Sequence, residues 1–344
     1  MTATTMPQSA RAADAFRYVD EVDSTNERLR AWCRAAAAAP TGADGWNAPA
    51  WAVGTSTGAE FVGRLLGTAG TPRIGMLAAG TQTAGHGRLG RTWVNRPGQS
   101  FIASFLVPLP RTLVFGPRAG WLTMAAGIAA LAGVHAAVPD AALAAPVLLK
   151  WPNDVYCNGR KLGGILTEAA ELPPAPSAAA SGVGDDQVAF IVGIGLNLTM
   201  DAGELPTPDA TALNLQFAPA NPARRRALSG FDELRDRIGA GIVTSLRTEL
   251  GALVHADAAS ADDAIDDLRR RYTAVCWTLH RPVEARLVNG GTVRGMAEDV
   301  DADAALVVAA DDGSRVTVRT GDVGVLAAGD GDVRDDVRNR EGNA

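Results

Sequence analysis

Between Trp121 and Val138 the chain runs WLTMAAGIAALAGVHAAV, 18 residues without Asp, Glu, Lys or Arg. A run of that length is either a membrane span or a helix buried inside a folded domain. Ala and Gly dominate it, Thr123 and His135 interrupt it, and Pro139 closes it. Those features predict a buried helix of a water-soluble fold, spanning about residues 118–138.

The remaining composition agrees. With 344 residues, 47% of them apolar and 20% charged, the chain can bury a sizeable active site. A formal net charge of -6 excludes a surface that is basic overall, so any anion site must be a local cluster of Lys and Arg. Cys33, Cys157 and Cys276 lie far apart without CxxC pairing, which points to neither disulfides nor a zinc knuckle. The N-terminal stretch has no apolar signal core, and a cytoplasmic location is expected. His135, His255 and His280 show no metal spacing, and no Ser/His/Asp arrangement can be built from them.

Along the chain, FRYVDEV from Phe16 reads as a strand, and Asp23 and Ser24 mark the start of a helix. Residues 34–72, rich in Ala, Pro, Gly and Thr, read as partly helix extension and partly an irregular insertion holding Trp46 and Trp51. Strands follow at Ile74–Ala79 and Phe101–Val107, with the glycine-rich segment TQTAGHGRLGRTWVNRPGQS as a long loop between them. Next come VLLKW, DVYC and RKLGGILTEA, the last two joined by Asn158-Gly159, a strong hairpin signal. Residues 172–187 read as a surface loop. VAFIVGIGLNLT reads as a central buried strand, and residues 231–253 and 262–273 are amphipathic helices. From about Cys276 short strands alternate with turns, VEARLV, TVRGMAEDV, LVVAA and RVTVRT, which suggests a small all-β barrel.

Two clusters carry chemistry. In Gly85-His86-Gly87-Arg88-Leu89-Gly90-Arg91 glycines admit close backbone approach, and arginines supply forked donors for phosphate or carboxylate oxygens. It is not a Walker loop, because GxxxxGK[ST] is absent. The second cluster is Lys150-Trp151-Pro152-Asn153-Asp154 followed by Asn158-Gly159-Arg160-Lys161-Leu162-Gly163-Gly164. Lys150 ends a buried strand, where ligand sites gather, and an inward-pointing Lys161 must find an anion. Taken singly, each residue has a plainer reading: Lys161 as a solvated strand lysine, Asp154 as a turn former after Pro152.

Taken together, GHGRLGRTW, KWPND, NGRKLGGIL and GIGLN, preceded by Ser24-Thr25-Asn26, resemble the biotin protein ligases. The resemblance runs over residues 16–200, and the C-terminal strands resemble that family's SH3-like domain. It implies an α+β fold: a mixed-sheet biotin/lipoate ligase-like catalytic domain over 16–274, with irregular insertions at about 34–72 and 172–187. A small SH3-like β-barrel would span 275–328, residues 1–15 would be a flexible N-terminus, and 329–344 a disordered tail.

It also implies an activity: ATP and biotin give biotinyl-AMP and pyrophosphate, with Mg2+ accompanying ATP. The biotin then passes to a lysine of a biotin carboxyl carrier domain of acyl-CoA or pyruvate carboxylases. Ser24, Thr25, Asn26, Gln82, Gly85, His86, Gly87, Arg88, Lys161, Gly164, Ile165 and Leu166 would meet biotin. Arg88, Arg91, Trp93, Lys150, Asn153, Asp154 and Asn197 would surround the adenylate, with Lys161, Arg88 and Arg91 stabilising charge at the α-phosphoryl group. Asp154 could help hold magnesium, although KWPND offers no dedicated cage.

Some relatives are also repressors through an N-terminal helix-turn-helix; with STN beginning at residue 24, no DNA binding and no membrane association are expected, and a monomer is favoured. Lipoate or octanoyl transfer uses the same general domain, and GHGRLGRTW with KWPND favours biotin.

The chain departs from the family pattern at His86, where the loop's first Arg would stand. A glycine-flanked position usually brings main chain to a ligand. His86→Ala should therefore leave the dissociation constant for biotin, measured by calorimetry, nearly unchanged; a large weakening would assign the role to the imidazole.

Overall fold

The computed structural model describes residues 6–38, 56–66, 70–173, 186–217, 230–256, 260–287, 290–319 and 321–326. Trp46, Trp51, most of the two insertions and the 329–344 tail lie outside the described residues.

The larger sheet holds β1 (Ala15–Val22), β2 (Gly75–Gln82), β3 (Ser100–Pro110), β4 (Val147–Lys150), β5 (Asp154–Cys157), β6 (Arg160–Glu171) and β7 (Gln187–Asn197). Its spatial order is β1-β2-β3-β7-β6-β5-β4. β1 and β2 are parallel and every other pair is antiparallel, giving the mixed sheet. The helices are α1 (Pro7–Ala12), α2 (Thr25–Ala38), α3 (Ser56–Gly63), α4 (Arg111–Val114), α5 (Gly120–Ala137), α6 (Phe231–His255) and α7 (Ala261–Ala274).

The central strands read as continuous apolar runs because both sheet faces are covered. Side chains alternate between two cores. Met76, Phe105, Val107, Phe190 and Val192 belong to the core that contains α5 and α6. Their neighbours Leu77, Leu106, Ala189 and Ile191 pack with Leu29 and Cys33 of α2 and Phe61 and Val62 of α3. Burial pushes the Cys33 thiol up to about 12 and the Cys157 thiol to about 11, consistent with packing rather than reactive roles.

Helix α5 is long and apolar enough to span a membrane, yet 67% of it is buried inside the fold. Gly133 shows why it can sit so deep: a Cβ there would lie 2.5 Å from Ile242 Cγ1 and 2.8 Å from the Ile238 carbonyl of α6. The two helix backbones therefore approach closely at that crossing.

Residues 6–15 correct the expectation of a flexible N-terminus. Met6 and Ser9 are fully buried, and the buried Asp236 carboxylate accepts from the amides of Gln8 at 3.0 Å and Ser9 at 2.8 Å. A helix N-terminus needs such an acceptor, and this one comes from α6, far along the sequence.

The smaller sheet contains β8 (Pro282–Leu287), β9 (Thr292–Val300), β10 (Leu306–Ala310), β11 (Arg315–Val318) and β12 (Gly321–Val325), in the antiparallel order β11-β10-β9-β8-β12. β11 and β12 form its edges, so among the described residues the anticipated barrel is a sheet that does not close. β12 was not foreseen, because GDVGV has poor strand propensity. Two buried indoles pin this sheet to the catalytic domain: Trp121 of α5 donates to the Ala302 carbonyl at 2.7 Å and Trp151, just after β4, to that of Ala304 at 3.0 Å. The chain at 275–277 covers the edge strand β4, with Trp277 N donating to the Leu149 carbonyl at 2.7 Å.

Gly133→Ala should lower unfolding free energy by about 1–3 kcal/mol through overpacking of the α5/α6 crossing. Gly203→Ala, which meets nothing within 4 Å, should change it by less than about 0.5 kcal/mol. Denaturant titration of both variants checks this.

Candidate active site

The α2-facing side of the larger sheet changes character along its strands. Where Leu106 and Ile191 give way to Ser104, Gly193, Gly195 and Asn197, apolar packing ends and a cavity of about 440 Å³ opens. The GIGLN segment explains the change position by position. A Cβ at Gly193 would overlap the Asn26 amide oxygen, so glycine there admits Asn26. A Cβ at Gly195 would lie 2.6 Å from the Trp93 ring, so that glycine seats the indole. Asn197, two residues on and 2% exposed, donates to the Thr211 carbonyl at 3.0 Å.

One end of the cavity is polar and uncharged. Ser24, which accepts from the Glu27 amide at 3.4 Å, caps α2 and places Thr25 and Asn26 at the cavity wall. Gln82 Oε1 accepts from the Thr25 amide at 2.7 Å, with the Thr25 hydroxyl 3.0 Å away. Asn95 holds the Gln82 backbone through both its N–H and its carbonyl.

The other end is cationic. Asn158 (φ 52°) and Gly159 (φ 69°) form the tight turn that the sequence signalled, returning the chain so that Lys161 pairs with Tyr156 across the hairpin. The inward Lys161 finds its anion inside the protein: Nζ lies 2.7 Å from Asp154 Oδ1. Arg88 donates to Asn153 Oδ1 at 2.8 Å, and Asn153 is itself fixed by donating to the Ile165 carbonyl at 2.8 Å. Arg91 is exposed and pairs with Asp322 of β12. Desolvation depresses the affinity of both Arg88 and Lys150 for their protons. Lys150 Nζ sits 5.3 Å from the Tyr156 ring centroid and has no carboxylate partner among the described residues. An arriving anion would relieve both groups.

The segment expected to be a long loop closes on itself as a small hairpin. Gly87 N donates to the Arg91 carbonyl at 2.7 Å, Trp93 N to that of Gly85 at 2.9 Å, and His86 bridges Thr92. A short helical turn at Arg88–Gly90 places Leu89 at φ 56°.

Every residue expected at the site lines this one cavity except Gly85, which is buried under Trp93; a Cβ there would lie 2.6 Å from the Trp93 carbonyl oxygen. Within KWPND the structure also separates roles: Trp151 reaches the smaller sheet while Lys150, Asn153 and Asp154 face the charged chemistry. The sequence reading missed Tyr156, Asp209 and the Gly321–Gly324 stretch of β12. Only the fold brings those last residues, far along the chain, to the cavity mouth.

Fold and cavity together define the class: a mixed-sheet ligase domain with an added antiparallel sheet. Residues 68–173 match the Biotin/lipoate A/B protein ligase family, and residues 278–325 match the Biotin protein ligase C terminal domain. The chain is 34% identical over 271 residues to the biotin–(acetyl-CoA-carboxylase) ligase of Mycobacterium tuberculosis, covering 78% of this chain and 85% of that one. It is 26% identical over 246 residues to the bifunctional ligase/repressor BirA of Escherichia coli, covering 70% and 64% respectively. The fold is like that of the solved biotin protein ligase from Aquifex aeolicus in complex with biotin and ATP. The TM-score is 0.53 at 20% identity, covering 91% of this chain and 99% of that one. The chain belongs to the biotin protein ligase family.

Lys150→Met should raise the stability of the unliganded chain by on the order of 1 kcal/mol, since it removes a desolvated charge at a functional site. The sign follows from linkage: a lysine whose folded pKa is depressed binds its proton better when unfolded. The parent's deficit should therefore shrink as pH rises through that lowered value toward the ordinary lysine range. Thermal melts of parent and variant across alkaline pH, alongside reduced adenylation by the variant, check both halves.

Proposed function

We propose that this cavity is where the ligase joins biotin to ATP and later releases biotin to its carrier. The chain is an ATP-dependent biotin protein ligase, and its product is a biotinylated lysine on a biotin carboxyl carrier domain. The observation that carries the assignment of residues is that an uncharged polar end, at Thr25 and Gln82, and a cationic end, at Arg88, Lys150 and Lys161, meet in one cavity. A ligand with a ureido ring at one end and a reacting carboxylate at the other suits that polarity.

In the first step a biotin carboxylate oxygen attacks the α-phosphorus, the bond to the bridging oxygen breaks, and pyrophosphate leaves. Two anions meet there, so fixed cations in a partly desolvated site lower the barrier without proton transfer. Lys161 is held for that task by Asp154, Arg88 by Asn153, and Lys150 stands at the end of β4. Gly164, Ile165 and Leu166 line the wall beside the chain that links the ring to the carboxylate. Trp93, on Gly195, with Asn197, would flank the adenylate. In the second step the carrier amine attacks the acyl carbon, AMP departs, and the amine loses a proton to solvent. The hairpin from His86 to Trp93 lines the cavity, where it would limit access of water to the anhydride.

Magnesium accompanies the triphosphate and neutralises its charge. Among the described residues no group of three or more His, Cys, Asp or Glu could enclose an ion. The donors present fit a magnesium carried mainly by phosphate oxygens, with at most one carboxylate such as Asp154 added.

The carrier belongs to a biotin-dependent carboxylase, acyl-CoA or pyruvate carboxylase in type. We assign no DNA-binding activity, a monomeric state and a cytoplasmic location to the chain. Lipoate transfer is the alternative for this fold, and the uncharged polar end argues against it, because a dithiolane ring offers no hydrogen-bonding groups to match.

Incubation with biotin, ATP, magnesium and a carrier domain should yield avidin-reactive carrier, and lipoate should not substitute. Lys161→Ala should slow biotin-dependent pyrophosphate release by about 10²–10³-fold, the scale of losing one preorganised transition-state donor, with little change in melting temperature. Parental release from that variant would remove Lys161 from the chemistry.

A further inference from the structure

Behind the polar end of the cavity lies a chain of hydrogen bonds whose direction can be worked out by counting protons. Asn26 Nδ2 donates to Glu168 Oε2 at 2.8 Å and to the Leu166 carbonyl at 3.3 Å. Both are acceptors only, so the amide cannot be turned around, and Asn26 Oδ1 must face the other way. It faces Ser104 Oγ at 2.5 Å, and that hydroxyl also lies 2.6 Å from Thr25 Oγ1. Ser104 is fully buried and Asn26 is 4% exposed, so an unmet acceptor here is costly.

A serine hydroxyl carries a single proton. Since Asn26 Oδ1 can only accept, that proton goes to Asn26, and the short contact with Thr25 needs the threonine proton. Thr25 then turns its proton to Ser104 at 2.6 Å rather than to Gln82 Oε1, which lies 3.0 Å from the hydroxyl and already accepts from the Thr25 backbone amide at 2.7 Å. Two groups are left over for the cavity. Gln82 Nε2 keeps its N–H donors, with no acceptor among the described residues, and Thr25 Oγ1 keeps a lone pair. A donor beside an acceptor is the complement of a urea edge, which presents a carbonyl beside an N–H.

We propose that Glu168 and Ser104, neither of which lines the cavity, are positioning residues that set this polarity and so select the ureido ring. Glu168 acts by fixing the Asn26 amide, with Arg30 holding its other oxygen at 3.0 Å. Ser104 passes the direction on to Thr25. With glutamine at 168 the side chain can donate as well as accept, only the longer contact with the Leu166 carbonyl still opposes a turned Asn26 amide, and turning it releases the Thr25 proton from Ser104 toward the cavity. The inference rests on the biotin reading of the site.

The test measures dissociation constants by calorimetry for biotin and for its cyclic carbamate analogues, in which one or other ureido N–H is replaced by a ring oxygen. In the parent the carbamate that faces Thr25 sets one lone pair against another and should bind at least about tenfold more weakly than biotin. Glu168→Gln should bind biotin about three- to tenfold more weakly, on the scale of a hydrogen bond to a charged group, and should lose most of the discrimination against that carbamate. Ser104→Ala should show the same two effects; if it fails to fold, the partly buried and isosteric Glu168→Gln carries the test. A merely structural role would weaken both ligands alike and leave their ratio at the parental value. Parental affinity, or a parental ratio, in Glu168→Gln overturns the proposal while the biotin reading stands. A parent chain that does not bind biotin overturns both.

Discussion

One constraint shapes the site: a single face of the larger sheet must be hydrophobic core at one end and ligand-facing wall at the other, without a break in the β7 ladder. Glycine solves it at two positions. At Gly193 and Gly195 the missing side chains leave room for Asn26 and for the Trp93 ring, so groups carried by α2 and by the loop after β2 reach the sheet surface. With larger residues there, α2 would be pushed away, and the Thr25–Gln82 and Asn26–Ser104 contacts could not form. Strand pairing continues unbroken through both glycines to Asn197.

The charged end shows how the unliganded protein keeps several cations close together. Lys161 and Arg91 are each matched by a carboxylate, Asp154 and Asp322, while Arg88 is held by neutral acceptors and Lys150 lies over a tyrosine ring. The last two carry the desolvation, and they are the groups with most to gain from a phosphate. Asp322 belongs to the smaller sheet. That sheet is fixed by the buried indoles of Trp121 and Trp151, so its carboxylate is delivered to the cavity mouth by packing far from the site.

The loop departure at His86 takes a different meaning in the fold. His86 is exposed and its backbone bridges Thr92, while the neighbouring Gly87 amide is spent on the Arg91 carbonyl. The loop is organised by its own main chain, and Gly85 serves that organisation by passing under Trp93 rather than by facing the ligand.

The sequence by itself determined the order and kind of most elements: the Asn158-Gly159 hairpin, the central strand ending at Asn197, the helix from Gly120 and the cations of the two motif clusters. These are local properties, set by turn chemistry and by apolar periodicity within a few residues. Tertiary structure decided the rest. That α1 is ordered depends on a carboxylate of α6; that β12 is a strand depends on pairing with β8, since GDVGV has little propensity of its own. Which charges are matched, and that Ser104 and Glu168 stand behind Asn26, depend on register between strands brought together by the fold. Pairing across such sequence distances leaves no periodic trace in either partner, so only the folded chain shows it.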